Sequence, residues 1–180
     1  AIIGVLMALL VPAISGVKER ANVTACKNNL KQIGLAYFSY QSPANQLPPY
    51  SGLQTLTSLY ISGALPGYSN KVLRCSSNGA TFTERTALPA PSWTSVLGTG
   101  ETHYITRRCG AALLSATIPG STDPGTTPLA CDERDVGGGA IHSSGGEFNV
   151  VWGDGRVETV PNANWNTTGL NPLNANHLAD

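Results

Sequence analysis

At 180 residues the chain is long enough for one domain with a real core and an appendage. Eleven basic residues balance eleven acidic ones and only 12% of residues are charged, so no basic stripe exists to neutralise phosphates and a nucleic-acid partner is not expected. Twenty glycines and twelve prolines point to a loop-rich body, while a hydrophobic content of 41% argues against wholesale disorder.

The chain opens with an uncharged run, "AIIGVLMALLVPAI", before Lys18, Glu19 and Arg20. At ~1.5 Å per residue such a run reaches about 20 Å as a helix, short of the ~30 Å hydrocarbon core of a bilayer. A cleavable signal peptide would carry a basic region before the run and a small-residue cleavage site after it; here the pattern passes straight into more helix. Val23, Cys26, Leu30, Ile33, Tyr37 and Tyr40 follow one another in steps of three and four, which puts all six on one helical face. The expectation is a helix of roughly 60 Å whose first part, residues 1–22, projects, and whose second part packs on a head formed by residues 23–180. The projecting part would carry Ile2, Ile3, Gly4, Val5, Leu6, Met7, Leu9, Leu10, Val11, Pro12 and Ile14 as its self-assembly surface, with Gly4 and Pro12 loosening it. An ordinary core helix needs no such uncharged front, because burial of one face requires only one apolar stripe.

"QSPANQLPPYSG" reads as the exit from this helix, and Leu53, Leu56, Leu59 and Tyr60 suit a short second helix ending near Gly63. The segment from Pro66 to Gly79 reads as turn, short strand and turn. Residues 84–101 read as an irregular surface loop, His103–Thr106 as a strand and 119–128 as a turn cluster. "FNVVW" and "RVETV", joined through Asp154-Gly155, form the clearest hairpin. The fold class expected is α+β, a long N-terminal helix packed on an antiparallel sheet with extensive loops. Cys26, Cys75, Cys109 and Cys131 contain no CxxC, and with only three histidines a zinc site has little support. An even count in a neutral, Ser/Thr-rich chain fits disulfides in an oxidising compartment; four cysteines allow three pairings, and buried free thiols are the alternative.

The stretch "AIIGVLMALLVPAISGVKERANVTACKNNLKQIGLAYFSY" resembles the N-terminal helix of type IV pilin-like proteins, in particular the bacterial pseudopilin-like family abundant in planctomycetes. In that family prepilin peptidase cuts a short basic leader before a methylated Phe, and segments of the form "TLVELLVVIAIIG", "LLPA" and "CKNNLKQIGLA" follow. In register with the family, this chain starts downstream of the peptidase site, the aromatic and the family's glutamate. The resemblance continues at "VLRCSS", similar to a Cys-Pro-Ser element with Ser76 in place of Pro. It also covers His142, Gly145 and Gly146, then Asp154 and Gly155, which match a His…Gly-Gly…Asp-Gly ending; eleven residues separate His142 from Asp154, a longer spacer than the family's.

The resemblance implies a pilin-like fold and bridges Cys26–Cys75 and Cys109–Cys131, each contributing roughly 3–4 kcal/mol by loop-closure entropy. It further implies a structural subunit of a type IV pilus-like or pseudopilus filament. Its partners would be copies of itself, an inner-membrane assembly platform and prepilin peptidase. The subunit would sit in the inner membrane before assembly and in a surface or periplasmic filament afterwards. A minor pseudopilin of a secretion apparatus and a membrane-tethered adhesion or binding module are the rival readings.

Other motifs are read more plainly. His142, Ser143 and Asp154 contain the letters of a catalytic triad, but Asp-Gly is what a turn prefers and no G-x-S-x-G elbow is present, so no enzyme is expected. "DVGGGAIHSSGG" is neither a P-loop nor a GxGxxG at a strand–helix junction. Asp132, Glu133 and Asp135 supply oxygens of the kind calcium takes, and some pseudopilins bind calcium before their final strands. Asp132 and Asp135 are therefore the cation candidates, although without EF-hand spacing the cluster reads first as a solvated acidic turn. No other cofactor is expected. Asn22 and Asn166 stand in glycosylation sequons, of which only the tail site suits an exposed surface.

Overall fold

The computed structural model describes residues 2–44, 48, 52–67, 69–86, 95–106, 128–132, 142 and 146–161. Helix α1 spans Ile2–Ala44 and so measures about 65 Å. It is helical on both sides of Pro12, so the loosening expected there is not a break. Its packing face is the one marked by the three-four spacing: Cys26, Leu30, Ile33 and Tyr37 are buried, and Val23 and Tyr40 half-buried. Gly34 and Ala36 extend that face. A Cβ on Gly34 would lie 2.8 Å from Val151 Cγ2, so the helix approaches the sheet there more closely than any side chain permits.

Strands β1 (Tyr104–Thr106), β2 (Pro128–Asp132), β3 (Glu147–Trp152) and β4 (Val157–Pro161) form an antiparallel sheet in that order. The β3–β4 hairpin forms where Asp154-Gly155 announced it. Trp152 N–H donates to Arg156 O at 2.8 Å, and Gly155 takes φ +82°, which an L side chain resists. A Cβ at Gly155 would also come within 3.3 Å of the Phe38 ring, so the turn rests against α1. Strand β2, which the sequence does not announce, pairs with both β1 and β3 and carries a register break between Pro128 and Ala130.

Helix α2 (Leu53–Ile61) ends as expected at Gly63, whose φ of +77° provides a left-handed exit. It buries Leu56, Leu59 and Tyr60 against Leu30, Ile33, Leu73, Tyr104 and Val151 in one core. The short strand expected after it is instead a 3-10 turn, Asn70–Leu73. Two side chains decide this. Ser69 Oγ accepts from Lys71 N–H at 3.2 Å, capping the turn, and buried Asn70 replaces a strand partner by bonding Thr83 O, Glu101 O and Arg85 N–H. The stretch read as a surface loop is pinned at its described ends by Arg85 and Glu101, paired at 2.6 Å, and it buries Leu97. Among the described residues no helix is long and apolar enough to cross a membrane.

Candidate functional site

Side chains that the sequence scatters over more than a hundred positions converge where α1 meets the sheet. Cys26, one turn before Leu30 on the packing face, is bridged to Cys75, which follows the 3-10 turn; their Cα atoms are 5.3 Å apart and both side chains are buried. This is the first pairing that the resemblance implies. Of the second, Cys131 is buried on β2, and Cys109 lies outside the described residues.

Beside the bridge stands a chain of polar groups. Asp132 closes β2 with its carboxylate turned inward: Oδ1 accepts from Asn149 N–H at 2.6 Å, and Oδ2 accepts from Asn149 Nδ2 at 2.8 Å and faces His142 Nε2 at 2.9 Å. The other ring nitrogen, Nδ1, is 3.2 Å from Glu19 Oε1 on α1, and Ser77 Oγ donates to both Glu19 oxygens. His142 and Asp132 are buried while Glu19 remains partly exposed. Burial works against a charged ring, but hydrogen bonds and charges from Asp132 and Glu19 outweigh it and hold the His142 pKa above the ordinary imidazole value. An imidazolium donating in both directions satisfies both carboxylates at once.

A second histidine borders the bridge with the opposite character. Cys75 N–H donates to His103 Nδ1 at 3.3 Å, and burial, the dominant influence, pushes the His103 pKa below its usual value. Cys75 Sγ lies 3.7 Å from His142 Nε2. The sulfurs of Cys26 and Cys75, a carboxylate oxygen of Asp132 and a ring nitrogen of His142 all fall within 4.8 Å of one another.

The placements amend the sequence reading in particular ways. Asp132 is not part of a solvated acidic turn but a buried strand residue with both oxygens engaged; Asp135, Glu133, Ser143, Gly145 and Asn166 lie outside the described residues. The acid facing His142 is Asp132. Asp154 sits exposed on the hairpin, accepting from Arg156 N–H at 2.9 Å. Gly146 is exposed and donates its N–H to His142 O at 3.1 Å, helping to hold the histidine's backbone next to Glu147. Among the expected assembly residues, Ile3, Gly4 and Ile14 are exposed, and Val17, outside that set, is exposed too; the side chains of the run from Val5 to Pro12, and of Ile2, lie outside the description.

Glu19 and Asn149 were not singled out by the sequence. Glu19 carries one signal, since it is the only acidic residue before Glu84; a lone carboxylate at the root of an apolar helix invites the question of what it pairs with. Asn149 carries none, because within "FNVVW" it reads as the polar face of a strand.

Residues 17–63 match the model of a family described as SBP_bac_10, Protein of unknown function (DUF1559). The matched stretch takes in Glu19, Cys26, the packing face of α1 and all of α2. No curated protein and no solved structure matches the chain.

Proposed function

We propose that this chain is a structural subunit of a type IV pilus-like or pseudopilus filament and polymerises through the front of α1. The observation that carries the reading is a contrast within one helix: Ile3, Ile14 and Val17 are 75%, 55% and 66% exposed, whereas Cys26, Leu30, Ile33 and Tyr37 on the packing face beyond Glu19 are buried. Apolar side chains left in water are costly, and a copy of the same helix offers a surface of matching chemistry. Before assembly the front dips into lipid; in the filament it exchanges lipid for helix–helix contact, where dispersion and close packing hold the polymer. Head-to-tail stacking that does not close into a ring gives an open fibre. The disulfide and the Glu19–His142–Asp132 chain fix the root of the helix to the head, so that pull on the helix is passed to the domain. The reading assigns the chain no catalysis.

The test compares shear fractions of cells producing the full chain with those producing the Ile14→Asp/Val17→Asp variant, by electron microscopy. Fibres containing the wild-type chain are expected, and none with the variant, whose head should keep the wild-type melting temperature. A photo-crosslinker at position 14 should give a ladder of homomultimers. Absence of fibres together with crosslinks to monomer alone sinks the proposal.

A further inference from the structure

Four buried side chains from separate parts of the chain place two sulfurs, an oxygen and a nitrogen around one point. They are Cys26 on α1, Cys75 after the 3-10 turn, Asp132 at the end of β2 and His142 ahead of β3, with ligand atoms all within 4.8 Å. We propose that, with the Cys26–Cys75 bridge reduced, this cluster binds one zinc ion, so that the root of α1 is held to the head by a metal in one redox state and by a covalent bond in the other.

The geometry suits a closed four-coordinate site. Zinc holds sulfur at about 2.3 Å and nitrogen or oxygen at about 2.0–2.2 Å, which sets neighbouring ligand atoms some 3–4 Å apart. His142 Nε2 lies 3.7 Å from Cys75 Sγ and 2.9 Å from Asp132 Oδ2. The surrounding contacts are those a metal-binding histidine and carboxylate require. Nδ1 is 3.2 Å from Glu19 Oε1, which fixes the ring with Nε2 facing inward, while Asn149 N–H and Nδ2 donate to Asp132 Oδ1 at 2.6 Å and Oδ2 at 2.8 Å, orienting a carboxylate whose Oδ2 also faces His142 Nε2. For zinc to enter, the sulfurs must part, Nε2 must give up its hydrogen bond to Oδ2, and ligand atoms now up to 4.8 Å apart must draw closer.

The chemistry balances with a dithiol as reductant. Two electrons from the dithiol cleave the Cys26–Cys75 bond, the dithiol closes to its own disulfide, and the two cysteines gain its protons. Zinc then displaces both thiol protons and any proton on Nε2, giving a site with two thiolates, one carboxylate and a neutral imidazole whose Nδ1–H donates to Glu19. The proposal is independent of whether the chain forms filaments.

The test uses the full chain, reduced with a phosphine and freed of reductant without oxygen, with cobalt(II) and zinc as probes. The reduced chain should bind one cobalt per molecule with the visible bands of a tetrahedral site and a sulfur-to-cobalt charge-transfer band, lost on adding zinc; the oxidised chain should show neither. Peptide mass spectrometry should find alkylation of Cys26 and Cys75 at least tenfold slower with zinc than without, a readout that needs no variant. Glu19→Gln should weaken zinc binding by about 10- to 100-fold, and His142→Ala by more. A reduced chain without the tetrahedral spectrum, protection falling on Cys109 and Cys131 instead, or unchanged affinity in His142→Ala overturns the assignment.

Discussion

Helix α1 is two environments on one backbone. Before Glu19, Ile14 and Val17 stand mostly in solvent; after it, Leu30 and Ile33 are fully buried against α2 and the sheet. Aliphatic side chains occur in both halves, and the backbone is helical through both. What differs is cover. The rear half draws its stability from the face it buries. At its described positions the front takes little cover from the head, and short isolated helices are marginal in water, so its order depends on propensity, on continuity with the anchored half and on whatever covers it.

The most direct way to break this comparison is the same truncation on either side of Glu19. Ile33→Ala removes a fully buried side chain and should cost about 2–5 kcal/mol, lowering the melting temperature by roughly 10 °C for a domain of this size. Ile14→Ala, at an exposed position, should stay within about 0.5 kcal/mol in the same thermal unfolding experiment. Equal losses at both positions would mean that the front is folded onto the head in solution.

Glycine to alanine sharpens the contrast, because the sign should change. At Gly34 the new Cβ would meet Val151 Cγ2 at 2.8 Å, and overpacking a tight helix–sheet contact should cost about 1–3 kcal/mol. At Gly16 nothing lies within 4 Å, so alanine should strengthen the helix by up to about 1 kcal/mol. Chemical denaturation of the two variants measures both. A destabilising Gly16→Ala would reveal a neighbour at the front of the helix.

How much of this was legible beforehand follows the range of the interactions. Periodicity showed the packing face of α1, and Asp154-Gly155 showed the hairpin, because each is written within a few residues. The Cys26–Cys75 bridge was legible only through family resemblance, since the residues alone left three pairings open. The polar chain at the root of the helix was not legible. Asp132 stands beside Glu133 and Asp135 and looks like part of an acidic turn until the β2–β3 register, with Cys131 opposite Val150, carries its carboxylate to Asn149. Glu19, between Lys18 and Arg20, looks like a solvent residue until the fold places His142 beside it. The missed 3-10 turn has the same origin: Asn70 finds its partners at Thr83, Arg85 and Glu101, too far along the chain for local propensity to report.

The smallest effect expected separates the halves by acid. The chain has no carboxylate side chain before Glu19, whereas the head holds Glu101 against Arg85, with Nη2 at 2.6 Å from Oε2. The hydrogen bond from Arg85 is the main cause that draws the Glu101 pKa below its ordinary 4.5; partial burial opposes it, while Gly98 N–H and the Arg85 charge assist. A carboxyl whose pKa is lower folded than unfolded contributes stability that is complete above the unfolded value and is lost as pH falls through the folded one. The head should therefore lose part of its thermal stability as pH drops below about 4.5, measured by near-ultraviolet circular dichroism. Other carboxylates titrate there too, so the comparison that isolates this pair is with Arg85→Met, in which the fall should be shallower. Because the front of α1 contains no group of this kind, its helical signal should not track the loss until the head itself unfolds. A front that melts with the first protons would show that its order depends on the head's ionic contacts rather than on cover of its own.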